Sequence, residues 1–298
     1  MRRATASMLA LGLCFTALAG VSRSRGDDSP RVASNANNAV ATASTTDATN
    51  AAVCTPQCEA NGAAGAPGFT HPKVQAPPFA VLEAAPDRPI RVLPSATQSR
   101  RVLVYLHGYC GDVNAVGAFV PAARAHGTLI ALLGDQPCKD KPGRFKWSRD
   151  TRALDARIQR AIRLVNRVQH LELDARDVTL FGYSQGAVQA EGLARYYAKH
   201  YPRVILGGPP RRPKPEHFHH VRAVAVFGGE LEDTHDMLGG AEDLSRTGLA
   251  ARFFLLPGVD HGDFGGEELG NQALAQILDF VADPAPAPAV TPPGLARQ

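Results

Sequence analysis

Apolar runs recur through the middle of the chain at 101–106, 128–133, 178–182, 203–206, 222–228 and 251–256. Each is short and rich in Val, Leu, Ile and Phe, which predicts strands buried in a sheet. Between them the pattern changes period. Over 151–169, Leu154, Ile158, Ile162, Val165 and Val168 fall on one helical face with arginines opposite. Over 266–282, Leu269, Ala273, Ile277 and Phe280 do the same, and a further helix-like stretch runs from Ala187 to His200. Strand alternating with helix predicts an α/β domain, a mostly parallel central sheet with helices on both faces, spanning residues 76–283. Ligands then bind at the carboxyl ends of the strands. The connections are short, so little or no lid is expected.

The flanking segments lack this pattern. Arg2 and Arg3 precede an apolar stretch from Met8 to Ala19 that is too short to span a bilayer, and Ala17-Leu18-Ala19 offers a small-residue cleavage site. Residues 1–19 therefore read as a signal peptide, which directs the protein to the periplasm or the extracellular space. Residues 20–75, rich in Ala, Ser, Thr, Asn and Gly, are expected to form a disordered tether, and the Pro/Ala-rich 284–298 a disordered tail. No membrane span is expected once the signal is removed. The chain has 298 residues and a formal net charge of +4, spread along it with only Arg211, Arg212 and Lys214 concentrated. That is too little positive charge to point to a nucleic-acid partner. A monomer is expected.

Chemistry concentrates where strand meets turn. Val178-Thr179-Leu180-Phe181 runs directly into Gly182-Tyr183-Ser184-Gln185-Gly186, and a helix pattern follows. This is the context of a nucleophile elbow, where a sharp turn lifts a serine hydroxyl clear of its surroundings. Cβ atoms at 182 or 186 are expected to collide with the neighbouring strand and helix. A serine needs a base and a group to orient that base. The strand at 251–256 leads into Pro257-Gly258-Val259-Asp260-His261-Gly262, which makes His261 the candidate base. The strand before Gly228-Gly229 leads into a run of carboxylates, and turn geometry puts the orienting acid at Glu232 or Asp233, with Asp236 third. The run 101–106 ends in His107-Gly108-Tyr109, whose Tyr109 amide, with that of Gln185, is the expected oxyanion donor pair. His107 is expected to anchor that loop.

Taken together, these segments resemble the α/β-hydrolases. The Gly182–Gly186 pentapeptide with Leu106-His107-Gly108 is similar to the phospholipase/carboxylesterase and dienelactone-hydrolase branch. Members of that branch usually show Gly-x-x-Asp at the acid; here the stretch is Gly229-Glu230-Leu231-Glu232, with Asp233 one place on. The expected activity is that of a serine hydrolase on small-molecule or polymeric esters, or thioesters, through an acyl-enzyme, with no cofactor and no metal. A peptidase, an acyltransferase or a silent binding module could carry the same motifs.

Four cysteines follow the signal segment. Cys110 and Cys138 end neighbouring strands and are expected to pair, fastening the oxyanion loop, while Cys54 and Cys58 could close a small ring. Trp147, the single tryptophan, lies in a polar loop where it either walls the substrate pocket or packs on the domain surface. His217-Phe218-His219-His220 lacks carboxylates at ligand spacing and reads as a polar edge loop.

Overall fold

A computed structural model describes residues 79–284. The signal, tether and tail readings, and Cys54 and Cys58, lie outside the described residues. Ten strands are present among the described residues: β1 (Ala80–Leu82), β2 (Ile90–Leu93), β3 (Val102–Leu106), β4 (Thr128–Leu132), β5 (Gln136–Pro137), β6 (Phe145–Lys146), β7 (Val178–Tyr183), β8 (Arg203–Gly207), β9 (Ala223–Gly229) and β10 (Ala250–Leu256). The helices are α1 (Val120–His126), α2 (Thr151–Gln169), α3 (Gln185–Tyr197), α4 (His235–Arg246) and α5 (Gly266–Ala282). Eight strands form one sheet in the order β1-β2-β4-β3-β7-β8-β9-β10. From β4 to β10 all neighbours run parallel, and β2 is antiparallel to both β1 and β4. Strands β5 and β6 make a separate antiparallel pair.

Both faces of the sheet are covered, which explains why the strand sequences are apolar without a break. In β3 all five residues are buried. Val102, Val104 and Leu106 join one core cluster, Leu103 and Tyr105 the other. The first cluster takes side chains from α2, α3 and α4, such as Ile158, Leu193 and Leu244. The second takes Ala123 of α1 and Ile277 and Val281 of α5. Helix α2 covers the predicted range because its apolar stripe is continuous and its ends are marked. Asp150 caps the start by accepting from the Ala153 amide at 2.9 Å, and His170 ends it in a left-handed conformation.

Several elements differ from the sequence reading, among them the two-residue strands β5 and β6. Strands β1 and β2 were not expected, since β1 is three residues long and β2 is bracketed by Pro89 and Pro94. Pairing of β2 with β4, and of β1 with β2, makes them strands. Helix α1 was not expected: it is seven residues long, with Pro121 near its start and Gly127 at its end, too short to show a helical period. Helix α3 begins at Gln185, not Ala187, because Ser184 itself is its N-cap. No helix among the described residues is long and apolar enough to cross a membrane.

Candidate active site

Parallel pairing carries the carboxyl ends of β3, β7, β9 and β10 to one edge of the sheet. Leu106 lies opposite Gly182, and Gly229 opposite Leu256. Each strand delivers one loop: His107–Cys110, Ser184, Gly229–Thr234 and Gly258–Gly262. The turn at Ser184 has φ 52 and ψ −114, a strained conformation for a residue with a side chain. Its amide is held by the Gly207 carbonyl at 2.8 Å. The two motif glycines make that turn sterically possible. A Cβ on Gly182 would overlap the Gly186 carbonyl at the start of α3, and one on Gly186 would overlap the Leu106 carbonyl of β3.

Three expected residues come together. His261 Nε2 lies 3.1 Å from Ser184 Oγ, and His261 Nδ1 lies 2.7 Å from Glu232 Oε2. With a carboxylate accepting at Nδ1, that nitrogen carries the proton and Nε2 is left to accept from the serine hydroxyl. The Glu232 side chain is 9 % exposed, and its other oxygen accepts from the Gly229 amide at 2.6 Å. Both carboxylate oxygens are thus engaged, which fixes the plane presented to the imidazole.

Asp233, the alternative acid, does not reach His261. Its Oδ1 accepts from the His235 amide at 3.0 Å. The reason is rotational: one residue beyond Glu232 the chain has turned toward α4, and the carboxylate faces the helix start, where the exposed N–H groups attract it. Asp236, the third candidate, lies in the first turn of α4 for the same reason.

The acid and base loops are laced together. The amides of Glu230 and Leu231 donate to the carbonyls of Leu256 (2.9 Å) and Val259 (3.0 Å), and the Gly258 amide donates to Glu230 Oε2 at 2.9 Å. Tyr183, a residue without an expected role, adds a further tie. Its hydroxyl accepts from the Gly262 amide at 2.6 Å, and its ring lies 5.3 Å from the His261 ring. Burial pushes its phenol up to about 12, so it stays neutral while accepting. Strand alternation puts Tyr183 on the face of Phe181, a signal that the sequence contained.

The loop after β3 is fixed from below. His107 is buried; its Nδ1 donates to the Gly108 carbonyl at 2.7 Å and its Nε2 accepts from the Gly134 amide at 2.9 Å. Burial holds its pKa below the ordinary histidine value, which keeps Nε2 free to accept. Trp147 neither walls the pocket nor packs on the outer surface. It is buried, with Nε1 donating to the His107 carbonyl at 2.8 Å and the rings 4.9 Å apart. A buried indole needs an acceptor, and the His107 carbonyl is the one within reach. The Trp147 backbone also grips Gln185: its amide donates to Gln185 Oε1 at 3.1 Å, and its carbonyl accepts from Nε2 at 3.2 Å. The disulfide Cys110–Cys138 joins this loop to the one after β5, with Cα atoms 5.8 Å apart.

Of the two expected oxyanion donors, Tyr109 lines a cleft of about 400 Å³ together with Gly108, Ser184 and His261. Gln185 does not line it; its amide opens α3 one residue past Ser184, where helix geometry supplies no partner. Tyr105 and Phe264 are apolar walls, and an Arg144–Asp112 ion pair sits at the rim. In the 217–220 loop, His217 Nδ1 pairs with buried Glu191 at 2.8 Å, which ties that loop to α3.

The strand order, the antiparallel β2 and the elbow between β7 and α3 define the α/β-hydrolase fold. Among solved structures the chain is similar to an esterase of Thermogutta terrifontis, at 18% identity and a TM-score of 0.47, covering 72% of this chain and 98% of that one. It is similar also to a carboxylesterase from Mesorhizobium loti, at 22% identity and a TM-score of 0.48, covering 69% and 99%. A third is an esterase from Pyrobaculum calidifontis, at 16% identity and a TM-score of 0.45, covering 68% and 82%. No protein-family model and no curated protein matches the chain.

Proposed function

We propose that this protein is an exported serine esterase that cleaves carboxylic esters, and by the same route thioesters, through an acyl-enzyme. The observation that carries this reading is the continuous hydrogen-bonded series from Ser184 Oγ through His261 to Glu232, at 3.1 and 2.7 Å. As Ser184 Oγ attacks the substrate carbonyl, its proton passes to His261 Nε2, and Glu232 stabilises the imidazolium through Nδ1. The amides of Tyr109 and Gln185 donate to the oxyanion. Collapse of the tetrahedral intermediate expels the alcohol, which takes the proton from Nε2. Water then repeats the sequence on the acyl-enzyme, releasing the acid and restoring Ser184. Each step is complete with side chains and amides of this chain.

The cleft of about 400 Å³, open and walled by Tyr105 and Phe264, suits a short acyl group on a small or polymeric soluble ester. Export is supported by the apolar segment at 8–19, which reads as a signal, and by the Cys110–Cys138 disulfide, a bond favoured in oxidising compartments. In the same proposal residues 20–75 are a tether, 284–298 a tail, and the enzyme is a monomer.

A fluorophosphonate probe should label Ser184, and Ser184→Ala should lower hydrolysis of p-nitrophenyl acetate by about 10⁴-fold or more. An unlabelled protein, or a variant that keeps most of its activity, removes the reading. Faster turnover of a matched anilide than of the ester would move the assignment to a peptidase.

A further inference from the structure

A second cavity, of about 430 Å³, lies between the β1–β2 turn and α2 and shares no lining residue with the cleft at Ser184. Over 151–169 the sequence already carries arginines opposite the apolar face. Helical periodicity brings four of them, Arg157, Arg160, Arg163 and Arg167 of α2, to the same wall as Arg88. Against these five arginines the lining holds two carboxylates, Glu83 and Asp87. Asp87 is already engaged, with Arg157 Nε at 3.3 Å and Arg160 Nη2 at 2.8 Å. Asp135, on adjoining surface, adds a further negative charge near Arg157 and still leaves the arginines in excess. Arg163 and Arg167 are exposed and make no ion pair among the described residues.

An arginine stripe on a helix is usually a solvated face. Two features set this one apart. It is concave, with an apolar floor of Ala84, Ile90, Leu132, Ala161 and Leu164. And Arg157 is only 7% exposed, with Nη2 donating to the Leu133 carbonyl at 2.8 Å but Nη1 buried without any acceptor among the described residues. A charged donor left unmatched beneath the cleft strengthens the positive field there, and a negative charge in the cleft offsets it. Arg157 itself is closed to solvent, so the exposed guanidinium groups of Arg163 and Arg167 supply the hydrogen bonds to an anionic oxygen above it.

We propose that this cleft binds a small organic anion: a phosphate, sulfate or carboxylate head held by Arg163 and Arg167 over the buried charge of Arg157, with a short apolar body on the alanine and leucine floor. The inference is independent of the activity at Ser184.

Isothermal titration at fixed ionic strength with inorganic phosphate and with octyl phosphate tests it. Octyl phosphate should bind saturably, about tenfold or more tighter than inorganic phosphate, because only it reaches the floor. The double variant Arg163→Gln/Arg167→Gln should weaken octyl phosphate by about tenfold. The charge-matched control Arg152→Gln/Arg195→Gln, on residues outside the cleft, should leave it within about twofold. Co-sedimentation with phosphatidylglycerol vesicles tells a membrane headgroup from a free anion: binding lost in the same double variant assigns the lipid, and octyl phosphate binding alone assigns a soluble ligand. Absence of saturable binding by every probe, or equal weakening in the control, overturns the proposal.

Discussion

The indole N–H of Trp147 donates to the His107 carbonyl at 2.8 Å, beneath the loop that carries Tyr109. The same residue's backbone holds the Gln185 side chain through two hydrogen bonds, at 3.1 and 3.2 Å. One residue therefore supports both segments whose amides are assigned to the oxyanion. Trp147→Phe keeps most of the ring and removes the donor, which leaves a buried carbonyl unmatched. Urea denaturation should show a loss of about 1–3 kcal/mol. Turnover of p-nitrophenyl acetate should fall by about tenfold with KM little changed, since a misplaced donor costs transition-state binding more than ground-state binding. Native stability combined with native turnover would refute this role.

The choice between neighbouring carboxylates gives a sharper contrast. Glu232 meets His261 Nδ1 at 2.7 Å, whereas Asp233 accepts from the His235 amide. Glu232→Gln preserves shape but offers an amide that cannot stabilise the imidazolium, and kcat should drop by about 10³–10⁴-fold. Asp233→Asn should stay within about threefold, because an amide oxygen still accepts from the helix start. Steady-state kinetics of the two variants decides the matter; comparable losses in both would mean the acid is shared or misassigned.

The disulfide closes a loop of 28 residues that contains α1 and β4 and ends on the oxyanion loop. Replacing both Cys110 and Cys138 with alanine should cost about 3.6 kcal/mol by the loop-closure argument. Because Cys110 follows Tyr109 directly, the loss of the tether should also lower kcat, by several-fold. Thermal unfolding and ester turnover of the purified variant check the two effects separately, and an unchanged midpoint would show the loop to be held by His107 and Trp147 alone.

Much of this was legible in the sequence, for identifiable reasons. The buried parallel strands announce themselves as unbroken apolar runs, and α2 by an uninterrupted stripe, so their limits fall within a residue or two of the structure. Ser184 and His261 were marked by the turns around them, since glycines at 182 and 186 have no other steric purpose. What could not be read depends on rotation and on distant partners. Glu232 and Asp233 differ by one residue, and only the direction of the chain into α4 separates them. Trp147 sits among polar neighbours, so its burial follows from a contact with His107, forty positions away. β1 and β2 are too short to show a period and exist because β4 offers an edge.

Two histidines set the acid limit of the fold. His126 ends α1 with Nε2 buried and unpartnered; burial first, then Arg101 and Arg203, push its pKa down to about 4. His107 is also lowered by burial, and protonating its Nε2 would break the bond from the Gly134 amide. In both cases the folded value lies below the unfolded one, so the unfolded chain binds protons first as the pH falls. Their stabilisation is complete above about pH 6.5 and is progressively lost below it, down to about pH 4 for His126. Asp177 loses its contribution only at still lower pH: burial works against its charge, but Arg203 and Arg222 outweigh burial and hold it below the usual carboxylate range. Unfolding free energies from urea titrations should therefore fall between pH 7 and pH 4.5, with His126 supplying about 2 kcal/mol after allowance for its partial exposure. His126→Gln should flatten that slope while leaving the value at pH 7 nearly unchanged. If the variant and the native chain lose stability in parallel across this window, His126 is not the group that titrates.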